Sequence, residues 1–147
     1  MTRHTRYQGA IVEKDKILLI RHTEHASGRS YWVMPGGGRE AQESEVACVA
    51  REMREETNLE VSVKRLLVES RIPNDAFYVT RKTYLCSVLF GQASPGYEPE
   101  EDAAALYAIT EVAWFDLRSD EEWKASLIDN HILTRVLEDI RRELGYL

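Results

Sequence analysis

The sequence contains little cysteine and no long apolar run. Its two cysteines, Cys48 and Cys86, lie singly in apolar segments and form no C-x-x-C pair, so we expect reduced thiols in the core of a cytoplasmic protein. No apolar stretch approaches the roughly 20 residues that cross a bilayer. The segment from Met1 to Gly9 lacks the apolar region of a signal peptide. We therefore expect no membrane partner.

Basic charge is also scarce. Lysine and arginine number 19 against 25 aspartates and glutamates, which gives a formal net charge of −6 at pH 7. A surface for a nucleic-acid polymer usually needs clustered lysine and arginine, so the composition argues against such a partner. A small anionic substrate is compatible with the composition, because a bound divalent cation supplies positive charge locally.

The chain has the length of one domain, residues 1–147, and neither a repeat nor a long linker divides it. Apolar alternation and short apolar runs predict strands, and polar segments rich in Gly and Pro predict loops. The predicted loops are Thr23 to Ser30 and Gly91 to Asp102. The predicted strands are Arg6 to Val12 and Lys16 to His22 around a turn at Glu13 to Asp15, then Tyr31 to Met34, Leu59 to Glu69, Phe77 to Phe90, Leu106 to Ile109 and Glu111 to Asp116.

Helical spacing of apolar residues marks two further regions. The first helix runs from Ser44, its predicted N-cap, to about Thr57. The C-terminal region begins with a capping box of Ser119 and Glu122 and ends before Gly145. This order predicts an α/β fold with a mixed sheet between helices on both faces. The predicted apolar faces are Val46, Val49, Ala50 and Met53 in the first helix, and Leu133, Val136, Leu137, Ile140 and Leu144 in the last.

Three glutamates of the first helix are spaced to share a face. Glu52, Glu55 and Glu56 follow the spacing i, i+3 and i+4, and their face flanks the apolar stripe. Arg51 can pair with Glu55, whereas Glu52 and Glu56 have no such partner and repel each other by roughly 0.2–0.5 kcal/mol in an isolated helix. Converging carboxylates suit Mg²⁺ or Mn²⁺. A solvated acidic helix face is the alternative for the triplet taken alone.

A glycine run precedes this helix. Its glycines allow backbone groups to approach a ligand closely, although a simple tight turn also explains them. The combined string contains Gly37, five residues, Glu43, seven residues, and then Arg51-Glu52-Met53-Arg54-Glu55-Glu56-Thr57-Asn58-Leu59. It resembles the box of the Nudix hydrolase family, G-x5-E-x7-R-E-U-x-E-E-x-G-U, where U is a bulky apolar residue. Only the last glycine differs, and Asn58, which replaces it, is the next most tolerant residue for a left-handed helix terminus.

The resemblance implies a Nudix-like α/β/α sandwich in which the box forms loop, helix and loop. It also implies hydrolysis of a nucleoside diphosphate linked to another group, and it makes a homodimer plausible. Carried over by position, Glu52, Glu55 and Glu56 ligate Mg²⁺ or Mn²⁺, and Glu52 belongs to the catalytic machinery. In the same way, the carbonyl of Gly36 and the side chain of Glu40 complete the metal shell, and Glu43 holds Arg51 so that the helix and loop are oriented for catalysis.

The general base and the substrate contacts have weaker signals. The family often takes a base from a loop after the box, and this chain offers Glu98, Glu100 and Glu101, of which we select Glu100; solvated charges are the alternative. Arg29 and Arg39 are candidates for phosphate contacts. His22 and His25 are candidates for substrate contacts, although side chains of this type in loops are commonly just exposed.

The choice of substrate is barely encoded. Pro73 lies fourteen residues past Leu59, near the spacing of a proline in some ADP-ribose hydrolases of the family, whereas Tyr78 comes too late for the tyrosine associated with diadenosine polyphosphate hydrolases. A small nucleotide or nucleotide-sugar is the expected substrate. Two alternatives are a catalytically silent nucleotide-binding regulatory module, which the intact box disfavours, and a plain metal- or Ca²⁺-binding scaffold, which the missing D-x-D-x-D-G pattern disfavours.

Overall fold

The structure is a computed structural model, and it describes residues 4–73, 75, 77–127 and 130–147. The elements follow the predicted order of strands, one helix, further strands and terminal helices. Their bounds are β1 (His4–Glu13), β2 (Lys16–Glu24), β3 (Ser30–Val33), β4 (Gly36–Gly37), α1 (Glu45–Thr57), β5 (Glu60–Arg71), β6 (Tyr78–Phe90), α2 (Glu101–Ala104), β7 (Tyr107–Asp116), α3 (Glu121–Ser126) and α4 (His131–Glu143).

Three elements differ from the prediction. The two strands predicted between Leu106 and Asp116 form the single strand β7, because it pairs with β2 along its length and a register shift accommodates the polar residues in the middle. The two-residue strand β4 was not predicted, and it pairs with β1. The short helix α2 occupies the end of the segment predicted as a loop from Gly91 to Asp102.

Strand β1 joins two parts of the sheet. It pairs in parallel with β6, which pairs antiparallel with the edge strand β5, while β2 lies between β3 and β7 in antiparallel order. The hairpin between β1 and β2 turns at Lys14 and Asp15, both with positive φ, as a two-residue turn of type I′ requires. Two residue pairs next to this turn connect β1 to β2.

A cleft of about 920 Å³ is lined by β1, β2, β3, β6, β7 and the C-terminal helical region.

Helix α1 begins and ends where its sequence indicates. The Ser44 side chain accepts a hydrogen bond from the Ala47 amide, and Asn58 adopts the left-handed conformation with φ 62°. The predicted apolar face is rotated, however: Val46 is half exposed, while Cys48 is fully buried. The buried face turns toward the glutamates of the box, so that the buried residues are Cys48, Val49, Glu52, Met53, Glu56 and Thr57.

Adjacent strand residues contribute to two cores on opposite faces of the sheet. Ile11 and Leu18 pack in the core under α1, whereas Ala10, Ile17 and Leu19 pack in the core under α3 and α4. This confirms the sandwich of a mixed sheet between helices. Burying apolar area on both faces, at about 25 cal/mol per Å², is the main stabilising contribution.

In the C-terminal region, one helix N-cap differs from the prediction. Helix α3 begins at Glu121 after Asp120, and the Ser119 hydroxyl accepts a hydrogen bond from the Glu121 amide, so the predicted capping box with Glu122 is wrong. Helix α4 is capped by Asn130 and buries the predicted apolar face up to Ile140, with Leu144 partly buried against the core.

The two cysteines lie in the interior of the protein, and both are buried and free. Among the described residues, no helix has the length and apolarity that a membrane crossing requires.

Candidate active site

Helix α1 and strand β4 bring the box together. Glu52 and Glu56 are completely buried, and the Gly36 amide donates a hydrogen bond of 2.7 Å to Oε1 of Glu56. A Cβ atom on Gly37 would lie 2.5 Å from Oε1 of Glu52. The glycine at this position is therefore required by the close approach of the backbone to the Glu52 carboxylate.

Arg51 is the centre of the charged contacts. Its guanidinium donates to both oxygens of Glu43 at 2.7 and 2.9 Å and to the Gly38 carbonyl at 3.0 Å. It also donates to Glu52 and Glu55, each at 3.1 Å. The predicted contact between Glu43 and Arg51 is present, and it ties the glycine loop to the helix.

The segment after β6 caps the C-terminus of α1. The amides of Ser94, Gly96 and Tyr97 donate to helix carbonyls at 2.9–3.0 Å, and the Asn58 side chain binds Ser94 and the Pro95 carbonyl. A Cβ atom on Gly96 would lie 1.8 Å from the Glu55 carbonyl oxygen. The C-terminal carbonyls of the helix, which lack partners within the helix, are satisfied in this way.

This cap delivers two further carboxylates to the box. Oε1 of Glu100 accepts a hydrogen bond of 3.0 Å from the Gly38 amide, and Oε2 of Glu98 accepts one of 2.8 Å from the Tyr107 hydroxyl. Burial and the nearby charges of Glu98 and Glu52 raise the pKa of Glu100 to about 8. Glu101, the third member of the predicted cluster, is exposed at the start of α2.

The box contains more buried carboxylates than its arginines can neutralise. Burial, partly offset by Arg51, raises the pKa of Glu52 to about 7, and burial together with the charge of Glu52 raises the pKa of Glu56 well above its usual range. Oε2 of Glu52 and Oε2 of Glu56 are buried without a hydrogen-bond partner. A buried carboxylate oxygen without a partner is unfavourable, so these two oxygens are suited to bind a hard cation that prefers oxygen ligands.

The other oxygen of Glu52 and of Glu56 has a protein partner, and Glu55 also contacts the protein. Among the described residues, no group of three or more histidine, cysteine, aspartate or glutamate side chains is arranged to hold a metal ion as it stands. Glu52 and Glu55 both accept hydrogen bonds from Arg51, and one oxygen of Glu56 accepts a hydrogen bond from the Gly36 amide.

The remaining predicted residues lie at the rim. Glu40 is mostly exposed, with a carboxylate oxygen 3.8 Å from Nε of Arg51. Arg39 lines a smaller cavity of about 260 Å³ together with Glu40, Arg51 and Glu100. Arg29 lines the large cleft and lies over the Tyr31 ring.

The two histidines predicted as substrate contacts differ in their exposure to solvent. His25 is exposed, and its Nε2 lies 3.0 Å from the Ala104 carbonyl oxygen. His22 is only 4% exposed, lines the large cleft and stacks on Tyr107 with 3.8 Å between ring centroids. Pro73, singled out by its spacing, also lines this cleft.

Sequence reasoning missed Arg6, Arg81 and Tyr107. Arg6 and Arg81 are direct neighbours in the pairing of β1 with β6 and line the cleft. No sequence spacing indicates this, because 75 positions separate them and the pairing is parallel. Tyr107 was predicted only to lie in a strand.

Similarity to known proteins points to one family. Residues 3–134 match the family model described as the NUDIX domain, whereas no curated protein shows significant similarity. A NUDIX hydrolase from Nitrosomonas europaea is 19% identical at a TM-score of 0.72, covering 99% of this chain and 91% of its own. A MutT NUDIX hydrolase from Burkholderia pseudomallei is 23% identical at a TM-score of 0.63, covering 93% of this chain and 97% of its own.

A third similar structure bears a more specific name. An ADP-ribose pyrophosphatase from Streptococcus suis is 25% identical at a TM-score of 0.57, covering 80% of this chain and 77% of its own. The family match spans most of the chain and includes the complete box, which confirms the family and the hydrolase class predicted from the sequence. The chain therefore belongs to the Nudix hydrolase family.

Proposed function

We propose that this hydrolase uses Mg²⁺ or Mn²⁺ to cleave a phosphoric anhydride bond in a nucleoside diphosphate linked to another group. The observation that carries the proposal is the pair of completely buried carboxylates, Glu52 and Glu56, each with one oxygen that lacks a hydrogen-bond partner. Buried carboxylate oxygens without a hydrogen-bond partner are rare in a structural role, because desolvation disfavours them. They are expected where a divalent cation completes the charge balance.

We assign roles to the box residues from the family resemblance, and their contacts support this assignment. Glu52, Glu55 and Glu56 would hold the cation, with Glu40 and the carbonyl of Gly36 as additional oxygen donors. A bound divalent cation lowers the pKa of an attacking water and neutralises charge on the phosphate oxygens.

Arg51 and Glu43 orient these ligands. Arg51 contacts Glu52 and Glu55 directly, and Glu43 fixes both its Nε and a terminal nitrogen. A bidentate pair of this kind holds a guanidinium in one plane, so the carboxylates it contacts are held as well.

Glu100 is our candidate for the general base. It reaches the Gly38 amide at 3.0 Å, and Glu52 is among the charges that raise its pKa to about 8. A carboxylate with a pKa near the working pH exchanges a proton readily. Its neighbour Glu98 is engaged by the Tyr107 hydroxyl.

The substrate we propose is a small nucleotide or nucleotide-sugar rather than a polymer. A cleft of about 920 Å³ is large enough for such a molecule. Arg29 and Arg39 are candidates for phosphate contacts at the two cavities. An ADP-ribose type of substrate is favoured by the similarity to the Streptococcus suis ADP-ribose pyrophosphatase; a homodimer stays an expectation from the family.

The test is a panel of nucleoside diphosphate derivatives incubated with Mg²⁺, Mn²⁺ or EDTA, with the products separated by chromatography. We expect cation-dependent cleavage of at least one compound. Glu56→Gln should lower kcat/KM by about a hundredfold or more, since loss of a direct ligand should exceed the 10–100-fold effect of outer-shell partners. Glu143→Gln, on the exposed end of α4, is the matched control and should retain activity.

Two results would contradict the proposal. One is tight binding of nucleotides without any product, which would indicate the regulatory module. The other is full activity in EDTA or in Glu56→Gln with an intact fold by circular dichroism.

A further inference from the structure

Two arginines lie side by side on the wall of the large cleft. Arg6 on β1 and Arg81 on β6 are direct partners in the parallel strand pair. Arg6 donates to the Met34 carbonyl at 2.8 Å, and Arg81 donates to the Ser70 hydroxyl at 3.3 Å. Within the described part of the chain neither guanidinium has an ion pair with a carboxylate, and Nε of Arg81 is buried without any hydrogen-bond partner.

This arrangement is unfavourable in the protein alone. Like charges directly opposite on neighbouring strands destabilise a sheet, and a partly buried cation without a direct ion pair loses hydration that the more distant carboxylates, Asp75 and Asp139 for Arg81, replace only in part. Burial and the charge of Arg6 lower the pKa of Arg81. An anion between the two guanidiniums would relieve both effects, and arginine is the side chain whose planar fork matches a phosphate.

A second observation comes from β2. His22 is more than nine-tenths buried, with 4% of its surface exposed, and its Nε2 has no hydrogen-bond partner although the residue lines the same cleft. Stacking on Tyr107 fixes the ring. Burial and the charge of Arg6 lower the pKa of His22 to about 3, so the ring is neutral and adds a polar contact without further positive charge.

The cleft adjoins the acidic box through Arg6. Burial alone would lower the pKa of Arg6, yet Tyr78 in the cleft, Glu56 in the box and Glu98 beside the box raise it. The Tyr78 ring lies under the Arg6 guanidinium at 5.8 Å. Tyr31 and Phe77 also line the cleft and offer flat apolar surfaces.

We propose that Arg6 and Arg81 form a binding site for a phosphate group of a nucleotide, with the Nε2 atom of His22 as a third polar contact. The site deepens the proposed function, on which it rests for the identity of its ligand as part of the substrate. In this arrangement the nucleotide portion of the substrate would lie in the large cleft, and the box glutamates would hold the cation.

The experiment measures binding without the cation. In EDTA and at low ionic strength, AMP, GMP, CMP and UMP are each compared with the matching nucleoside by calorimetry. At least one monophosphate should bind tenfold or more tightly than its nucleoside. Arg81→Gln should weaken that binding about tenfold, and Arg81→Lys should retain part of it because it keeps the charge but loses the fork.

The control is Arg65→Gln, an equal loss of charge at an exposed position of β5, which should leave binding unchanged. Without ligand, Arg81→Gln should unfold at the same or a higher temperature than the parent, because a like-charge contact has been removed. This combination of weaker binding and undiminished stability does not arise if Arg81 is merely structural.

The proposal is overturned if every monophosphate binds no more tightly than its nucleoside, or if Arg81→Gln and Arg65→Gln behave alike. Cation-dependent hydrolysis with no Arg81-dependent binding would remove this inference alone. Arg81-dependent binding in a protein that hydrolyses nothing would remove the proposed activity and keep the phosphate site.

Discussion

Individual carboxylates occupy positions in α1 where a helix normally buries apolar side chains. The buried positions of α1 follow the helical spacing, and Glu52 and Glu56 stand among Cys48, Val49 and Met53. A helix selected only for stability would place apolar residues there, because burying them is favourable and burying a carboxylate is not. The burial of these two carboxylates is therefore the observation on which the proposed cation binding depends.

His22 gives a prediction at the same scale. Its pKa is about 3 in the folded chain against an ordinary value of 6.5, so between these pH values the unfolded chain binds more protons. The contribution of His22 to stability is complete above about pH 6.5 and is lost as the pH falls toward 3, with a slope of at most about 1.4 kcal/mol per pH unit. We expect His22→Phe to reduce this slope in denaturant unfolding between pH 4 and 6.5.

The control for this measurement is His131→Gln, at an exposed position of α4, which should leave the slope as in the parent. Equal slopes in His22→Phe and the parent would show that another group titrates in this range.

At the scale of elements, the segment from Gly91 to Glu100 controls the geometry of the site. Its amides cap α1, and it delivers Glu98 and Glu100 to the box. Asn58, the position at which the box differs from the family pattern, contacts the same segment. Asn58 keeps the left-handed conformation that glycine would adopt, and its side chain adds hydrogen bonds to this segment that glycine cannot make.

Gly96→Ala tests the importance of this docking. The added methyl group would meet the Glu55 carbonyl oxygen at 1.8 Å, so the segment must move away from the helix, at a cost of about 1–3 kcal/mol for overpacking. We expect kcat to fall at least tenfold with the secondary structure retained, because Glu100 moves with the segment. Steady-state kinetics and circular dichroism measure the two effects.

Gly145→Ala is the matched control for this substitution. Gly145, unlike Gly96, has a positive φ, and no atom lies within 4 Å of an added Cβ, so the variant should lose some stability through backbone strain and no activity. Comparable loss of activity in both variants would indicate that general destabilisation, and not the docked segment, is responsible.

At the scale of the whole molecule, stability and the binding of the cation should be linked. A ligand that binds only the folded state stabilises it by RT ln(1 + [L]/Kd), about 2.7 kcal/mol at a hundredfold excess over Kd. With pKa values of about 7 for Glu52 and about 8 for Glu100, these carboxyls are protonated at low pH. We expect the rise in Tm on adding Mg²⁺ to increase between pH 6 and pH 8.

Differential scanning calorimetry with Mg²⁺ and with EDTA measures this rise. Glu56→Gln should unfold in EDTA at or above the temperature of the parent and should gain little from Mg²⁺, because its buried group carries no charge. A Mg²⁺-induced rise in Tm that is equal in both proteins, or that shrinks with increasing pH, would contradict the linkage.

Local features of the sequence predicted much of the fold and the centre of the site. The helix bounds of α1, its Ser44 cap, the left-handed Asn58 and the contact of Glu43 with Arg51 all depend on residues close in the chain. The prediction was wrong where pairing with distant strands decided the outcome, as in the continuous β7. It was also wrong at α3, where the helix begins after Asp120 and not at the predicted cap.

The box was sufficient to predict the family, because its residues lie within one loop and one helix. The burial of Glu52 and Glu56, the contact of Glu100 with the glycine loop and the position of Arg6 beside Arg81 became known only from the folded structure. The difference arises from the range of the interactions involved. Helical spacing and caps are fixed by neighbours along the chain, whereas the direction of a helix face and the register of parallel strands are set by packing between distant segments.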